Sequence, residues 1–238
     1  MEIELNTVPK SNAIIVAGFP GFGFVATIAA EFLLEHLDCK SIGRLWSDEL
    51  TPMAFIRKSK IMQPLEIFYN EKYNLVIIEA FSGINGLEWE LAESLLTLAK
   101  KINAKEIISF EGLQSMDDDE APESYYLTNV AGTKAKLVKL GLKPMQEGIV
   151  VGVTGALMLK DKDAKTSFIF ATTHSKLPDS RAAAKLIEVF GKYMGVTLDI
   201  KPLLKKAEEV EVKLKDILEQ AKRTVGSKQR KDAMEYIS

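Results

Sequence analysis

Residues 13–37, AIIVAGFPGFGFVATIAAEFLLEHL, join three patterns that together predict one local structure. Residues 13–17 are apolar and uncharged and contain β-branched side chains, which is typical of a strand buried on both faces of a parallel sheet. Three glycines and a proline then indicate a tight turn. From Val25 onward apolar residues recur at helical spacing, so one helix face is expected to pack on the sheet. The chain therefore begins with a strand–turn–helix unit.

A glycine-rich turn that opens a helix can bind phosphate, because its backbone N–H groups and the helix dipole attract anions. The glycine order here is G-x-x-G-x-G, whereas the dinucleotide fingerprint is G-x-G-x-x-G. The Walker pattern would need Lys and then Ser or Thr where Phe24 and Val25 stand, and no Lys or Arg occurs between Lys10 and Lys40. We therefore expect no nucleotide or other cofactor at this turn.

Apolar side chains surround the glycines instead. They predict an uncharged turn at the edge of the sheet where α/β proteins usually bind ligands. A tight turn that simply packs is the preferred interpretation, and a surface turn that contacts a partner is the alternative. The residues concerned are Phe19, Pro20, Phe22 and Phe24.

The turn GFPGFGFV (residues 18–25) and the helical residues AAEFL (29–33) resemble the opening signature of the PAC2 family, the proteasome assembly chaperones and their archaeal homologues. The resemblance extends to about Val196, and its specific part is the turn. It implies an α/β fold like that of the nucleoside phosphorylases, without enzymatic activity. It also implies a chaperone or activator of the proteasome core particle that forms ring-like homo-oligomers.

Composition and charge narrow the possible partners. A chain of 238 residues that is 47% hydrophobic can bury one large α/β core. The formal net charge of −2 favours neither nucleic acid nor a membrane surface as a partner. The single cysteine, Cys39, excludes an internal disulfide framework and fits a reducing compartment. With no leader-like segment and no uninterrupted apolar run of membrane-spanning length, we expect a cytoplasmic protein.

Strand and helix patterns alternate along the rest of the chain. Residues 75–80 read as a buried strand, and apolar residues at helical spacing follow between Leu87 and Ala99. Residues 106–110 and 166–172 read as further buried strands, and residues 179–194 as a helix with an N-cap at Asp179 or Ser180. The pattern predicts one α/β domain, residues 1–196, with a mostly parallel sheet flanked by helices.

A C-terminal helix, residues 197–225, is predicted by apolar residues at heptad spacing with charged residues between them. Such a helix is marginal alone in water, so it needs a partner surface, on the same chain or on another subunit. In the second case it forms the interface of a homo-oligomer. The apolar stripe consists of Leu203, Ala207, Val210, Leu214, Ile217 and Ala221.

Residues 226–238 are predicted to be a mobile tail, and residues 222–231 contain five basic and no acidic residues. Some members of the PAC2 family contact the core particle through a C-terminal hydrophobic-Tyr-X ending that enters pockets between α-subunits. Here the tyrosine is third from the end and a glutamate precedes it, which puts direct gate opening in doubt. A weaker contact with the α-ring remains, through Met234, Tyr236, Ile237 and Ser238.

Candidates for catalysis are few. His36 lies near the end of the first predicted helix, where a structural role is expected, and His174 follows a predicted strand. The acidic residues 117–120 lack the spacing of a calcium loop, and neither histidine has a metal ligand at suitable spacing. A phosphorylase- or hydrolase-type enzyme that uses residues 117–120 and His174 is the alternative. A phosphorylase needs a cationic phosphate site at its turn, and this turn has no Lys or Arg. The sequence therefore favours a non-catalytic interaction protein.

Overall fold

The structure is a computed structural model, and it describes residues 1–57, 59–81, 84–115, 121–128, 130–162, 165–173 and 177–205. Three groups of residues singled out from the sequence lie outside these ranges. They are the acidic residues 117–120, His174, and the C-terminal stretch from residue 206 to residue 238.

Strands and helices alternate along most of the chain. The strands are β1 (Glu2–Leu5), β2 (Ile14–Gly18), β3 (Lys40–Trp46), β4 (Phe55–Arg57), β5 (Lys60–Met62), β6 (Leu65–Asn70), β7 (Leu75–Ala80), β8 (Glu106–Gln114), β9 (Ser124–Thr128), β10 (Lys143–Pro144) and β11 (Thr166–Thr173). The helices are α1 (Val25–His36), α2 (Glu88–Lys101), α3 (Ala131–Lys139), α4 (Gly152–Lys160), α5 (Ser180–Met194) and α6 (Lys201–Lys205). A single 3₁₀ turn, Phe22–Phe24, precedes α1.

Within the described ranges the main sheet has nine strands, in the order β1-β3-β6-β7-β2-β8-β11-β9-β10. The central strands β7, β2, β8 and β11 are parallel, as predicted. The strands β1, β3, β6 and β7 pair antiparallel with one another, and so do β9 and β11. The outer strands β9 and β10 pair parallel, so four neighbouring pairs of the described sheet are parallel and four are antiparallel. The prediction of a mostly parallel sheet is therefore not confirmed. The connections explain the difference, because the few residues between β6 and β7 cannot form the crossover helix that parallel neighbours require.

Helices cover both faces of the sheet. Ile14 and Val16 of β2 face the core that is formed with α1 and α5, whereas Ile15 and Ala17 face the core formed with α2 and α4. Every residue of β2 is buried, which confirms the strand predicted at residues 13–17. The helices predicted after the glycine turn and after β7 and β11 are confirmed as α1, α2 and α5. Within the described residues, no helix combines the length and the apolar character that crossing a bilayer requires.

Two short strands lie apart from the main sheet. Phe55–Arg57 pairs with Lys60–Met62 in an antiparallel β-hairpin. We refer to β4 and β5 together as the hairpin. The strands β1 and β5 were not anticipated from the sequence, since both are short and carry charged residues.

The helix α5 begins as predicted, with Asp179 as its N-cap. The Asp179 Oδ1 atom accepts hydrogen bonds from the backbone N–H groups of Arg181 and Ala182, both at 3.0 Å. Gly195, with φ of 70°, ends the helix in the left-handed conformation. The chain then returns to the body through α6.

The packing of α6 places one residue of the predicted heptad stripe against its own chain, which is one of the two alternatives that the sequence left open. Leu203 is only 3% exposed and belongs to the hydrophobic core that contains α5. Its side chain is already covered by the same chain, so it is not available to a second subunit. The other residues of the predicted heptad stripe lie outside the described residues: Ala207, Val210, Leu214, Ile217 and Ala221.

Replacing Asp179 by Ala should lower the free energy of unfolding by about 2 kcal/mol, because the helix loses its cap and Thr173 loses its hydrogen-bond acceptor. Chemical denaturation monitored by circular dichroism measures this change. Asp179→Asn is the matched control, since its side-chain oxygen still caps the helix, and it should cost clearly less. Equal losses for the two variants would mean that the cap contributes little.

Candidate functional site

The glycine turn, residues 18–24, lies at the carboxyl edge of the parallel strands, between β2 and α1. Two successive residues adopt left-handed backbone conformations, Gly23 with φ of 63° and Phe24 with φ of 49°. A bulky residue rarely adopts this conformation, which costs on the order of 1 kcal/mol or more. Phe24 packs against the core beside α1, and this packing holds the residue in place.

Glycines at the turn and on β8 allow a very close approach of the two segments. A Cβ atom at Gly21 would lie 2.1 Å from Oε1 of Glu111, and one at Gly112 would lie 2.1 Å from the carbonyl oxygen of Phe22. Neither position therefore tolerates a side chain without a shift of its surroundings. The glycines serve a contact between two parts of the same chain, the turn and the end of β8.

Glu111 is the centre of this contact. Its buried carboxylate accepts hydrogen bonds from the backbone N–H of Gly112 at 3.2 Å, from the backbone N–H of Phe22 and from the hydroxyl of Thr154. Burial raises the pKa of Glu111 to about 7, and these hydrogen bonds act in the opposite direction. The turn thus directs backbone donors at an acidic side chain of the protein itself, where a phosphate-binding turn would direct them at a ligand.

Hydrogen bonds of Asp179, at the start of α5, hold the other side of the turn. The Thr173 hydroxyl donates to Oδ2 of Asp179 at 2.6 Å, and the backbone N–H of Asp179 donates to the carbonyl oxygen of Gly23 at 2.9 Å. β2, β8, β11 and α5 therefore all converge on the glycine turn. This arrangement makes the turn a rigid part of the core.

The aromatic residues of the turn are less exposed than a surface turn would require. Phe19 is 4% exposed and packs in the core beneath α2 and α4. It continues the alternation of Ile15 and Ala17 towards that face, so at this position the turn packs, which was the preferred interpretation, and Phe19 is not part of a surface turn. Pro20, Phe22 and Phe24 are partly exposed.

A second buried carboxylate, Glu79, lies at the end of β7. It is 1% exposed, and in the described part of the chain its Oε2 atom has no hydrogen-bond partner. Burial raises its pKa to about 8; the positive charge of Arg57 lowers it, and the negative charges of Glu66 and Glu35 raise it. Glu66 is its direct cross-strand neighbour on β6.

The partners of Glu66 and Arg57 complete this cluster. Glu66 accepts hydrogen bonds from the Ser41 hydroxyl and from the backbone N–H of Gln63. Arg57, on the hairpin, forms an ion pair with Glu31 of α1 and lies 3.7 Å from Glu35. The cluster thus connects the hairpin, α1 and the β6–β7 pair.

The candidates for acid–base or metal chemistry are not assembled in the described residues. His36 contacts the carbonyl oxygen of Phe32 through Nδ1 at 2.8 Å and stacks on the Phe32 ring, which is the structural role expected for it. Burial raises the pKa of the Cys39 thiol to about 12, so this cysteine is a poor nucleophile. No group of three or more His, Cys, Asp or Glu residues in these ranges could hold a metal ion.

The segment that contains the glycine turn matches a known protein family. The model of the PAC2 family matches residues 15–218, a span that starts in β2 and includes the glycine turn. The chain belongs to the PAC2 family. It is 30% identical to the Methanocaldococcus jannaschii protein MJ0106 over 245 aligned positions, which cover 99% of this chain and 97% of that protein.

Solved structures of the PAC2 family have the same fold. Pyrococcus furiosus PbaA, an archaeal homologue of proteasome-assembly chaperone, superimposes with a TM-score of 0.84 and 31% identity over 93% of this chain and 99% of PbaA. Pyrococcus furiosus PbaB, an archaeal proteasome activator, superimposes with a TM-score of 0.75 and 22% identity over 91% of this chain and 98% of PbaB. The similarity to PbaB supports the fold alone.

The burial of Glu79 and Glu111 was not predicted from the sequence. Their signal was present, because Glu79 interrupts the apolar run LVIIEA and Glu111 directly follows a buried strand. The sequence does not reveal that Glu111 meets three donors whereas one oxygen of Glu79 has no partner.

Replacing Glu79 by Gln should stabilise the protein at neutral and alkaline pH. Between about pH 4.5 and pH 8 the unfolded chain releases the Glu79 proton while the folded chain keeps it, so wild-type stability falls as pH rises. The variant lacks this contribution. Its advantage in the free energy of unfolding should grow across this window to about 5 kcal/mol and then level off.

Denaturant unfolding at pH 5 and pH 8 measures the difference. Glu147→Gln, an exposed carboxylate, is the matched control and should leave the pH profile unchanged. Some pH dependence should remain in Glu79→Gln, because burial also raises the pKa of Glu111. If Glu79→Gln gained the same free energy of unfolding at both pH values, the conclusion that folded Glu79 keeps its proton would be wrong.

Proposed function

We propose that this protein is a non-catalytic, proteasome-assembly-chaperone-like factor that binds the α-ring of the proteasome core particle as a homo-oligomer in the cytoplasm. The observation that carries the proposal is membership of the PAC2 family together with similarity to PbaA over nearly the full length of both chains. An additional role as an activator is part of the proposal. PbaB, which shares the fold, is an archaeal proteasome activator.

The geometry of the sheet edge supports a binding protein over an enzyme. In α/β proteins the carboxyl edge is the usual place for a substrate. Here the backbone N–H groups of Phe22 and Gly112 are engaged by Glu111, and a substrate phosphate would be repelled by that carboxylate once it ionises. This arrangement favours a protein that binds its partner through its surface and its C-terminal tail over an enzyme that binds a substrate at the sheet edge.

The C-terminal tail is the proposed contact with the α-ring. Its basic stretch, residues 222–231, would steer the tail towards an acidic surface of the α-ring. The side chains of Met234, Tyr236 and Ile237 would then anchor the tail in an apolar pocket of the α-ring, with Ser238 as the last residue of the contact. A single tail with an imperfect motif binds weakly. Several tails on one oligomer would raise the avidity by about 10² or more if they reached adjacent pockets together.

Removing residues 236–238 should weaken binding to immobilised α-rings about tenfold or more without changing the mass of the oligomer, because the anchor is lost while the body is untouched. Surface plasmon resonance with wild type, the truncation and Tyr236→Ala measures the effect. Added salt should weaken wild-type binding further, since the basic stretch contributes through charge. Equal affinities for all three proteins would remove the tail from the proposal.

The heptad stripe beyond α6 is the proposed C-terminal part of the oligomer interface. Leu214→Glu should lower the solution mass, because a charge in the stripe opposes burial against another subunit. Light scattering measures the mass, and Lys213→Glu, a change of charge beside the stripe, is the control. An unchanged mass for folded Leu214→Glu would mean that the stripe packs on its own chain, as Leu203 does.

A further inference from the structure

A pocket of about 610 Å³ lies at the amino edge of the parallel strands, the edge opposite to the glycine turn. Its walls are the C-terminal halves of α2 and α4 and the starts of β8 and β11. The backbone N–H of Ile107 donates to the carbonyl oxygen of Lys165 at 2.9 Å, so the starts of these two strands adjoin there. Residues 18–24 do not line the pocket, which is therefore separate from the turn.

Lysines dominate the charge of the pocket. Those that line it are Lys100, Lys160, Lys162 and Lys165. Lys160 forms an ion pair with Glu93 at 2.7 Å. Lys162 and Lys165 are exposed, and neither forms an ion pair with any residue in the described ranges. A ligand would therefore meet these two positive charges without displacing a partner.

The carboxylates of the lining do not balance these lysines. That of Glu93 is paired with Lys160, and that of Glu106 accepts a hydrogen bond from the Tyr193 hydroxyl. Tyr193 belongs to the core on the opposite face of the sheet, so the charge of Glu106 is directed away from the pocket. Of the described residues that line the pocket, only Asp161 remains as a further acid. The pocket thus carries an excess of positive charge.

The helix ends account for only part of this charge. Both α2 and α4 end at the pocket, where their free carbonyl groups carry partial negative charge. Lys100 and Lys160 lie in the last turns of these helices and offset it. Lys162 lies two residues beyond α4 and Lys165 directly before β11, outside these turns. The positive charge of these two side chains is therefore available to a ligand.

The rest of the lining indicates which kind of anion fits. Leu96 and Ala99 of α2 are half-buried and line the pocket beside the lysines, so a ligand would meet aliphatic surface as well as positive charge. The described lining contains neither arginine, whose fork binds phosphate through two hydrogen bonds, nor an aromatic ring on which a base stacks. An acidic peptide with an aliphatic side chain matches both features, whereas a nucleic acid matches only the charge.

We propose that this pocket binds an acidic peptide segment of a partner protein. Carboxylates of the segment would face Lys162 and Lys165, and an aliphatic side chain would pack on Leu96 and Ala99. The inference goes beyond the proposed function, because it adds a binding site on the α/β body that needs neither the C-terminal tail nor the α-ring. The chain has a formal net charge of −2, so attraction of an acidic peptide depends on this local surface.

Fluorescence anisotropy with a labelled peptide of sequence EELEEL tests the proposal. The variant Lys162→Glu/Lys165→Glu should raise the dissociation constant about tenfold or more, because two attractive charges become repulsive. Both side chains are exposed, so the fold should stay intact, which circular dichroism checks. Lys162→Arg/Lys165→Arg should bind nearly as tightly as wild type, since the positive charges remain.

The matched control is Lys134→Glu/Lys139→Glu. Both of these lysines are exposed on α3 and do not line the pocket, and the variant makes the same change in net charge. Its affinity for the peptide should stay close to that of wild type, and added salt should weaken wild-type binding. An equal loss of affinity in the control would mean that the net charge and not the pocket attracts the peptide, which would overturn the proposal.

A second peptide, EESEES, measures the aliphatic contact and should bind several-fold more weakly than EELEEL. Equal affinity for the two peptides would contradict the packing on Leu96 and Ala99. The proposal is also overturned if wild type does not bind EELEEL, or if a single-stranded oligonucleotide of equal charge binds more tightly through the same lysines. The measurements contain no α-ring, so their outcome and that of the α-ring experiments are independent.

Discussion

The contact between Glu111 and the glycine turn determines how the centre of this protein is built. A carboxylate beneath a turn is costly to bury unless donors meet it, and here two backbone N–H groups and a hydroxyl do so. The contact requires glycine at position 112, where a Cβ atom would overlap the backbone of Phe22, and a Cβ atom at position 21 would displace the Glu111 carboxylate. Since α5 is tied to Gly23 through Asp179, the central strands and two helices are fixed relative to one another at this point.

This internal use of the turn has a functional consequence. Backbone donors that could receive an anion from solution already serve a side chain of the protein, so the sheet edge is occupied by the chain itself. The turn lies within the segment that matches the PAC2 family, and in this chain its role is structural. The proposed function accordingly assigns recognition to other parts of the chain than this turn.

Glu79 shows what a buried carboxylate costs when its donors are incomplete. Burial opposes its ionisation most, the negative charges of Glu66 and Glu35 add to this, and the positive charge of Arg57 on the hairpin compensates only in part. The raised pKa favours the protonated carboxyl at neutral pH, close to the place where Arg57 joins the hairpin to α1.

The sequence by itself determined the central strands, the helices after them and the family. Apolar runs such as residues 13–17 and 75–80 can only be satisfied inside a sheet covered on both faces, and the Asp179 cap and the glycine turn act over a few residues. Only the tertiary structure decided which neighbours pair antiparallel and that Phe19 and Leu203 are buried in their own chain. It alone brings Glu111 against Gly21, places Glu79 opposite Glu66, and leaves Ile56 and Ile61 exposed. Each of these depends on contacts between segments far apart in sequence, and a local pattern of side chains does not contain that information.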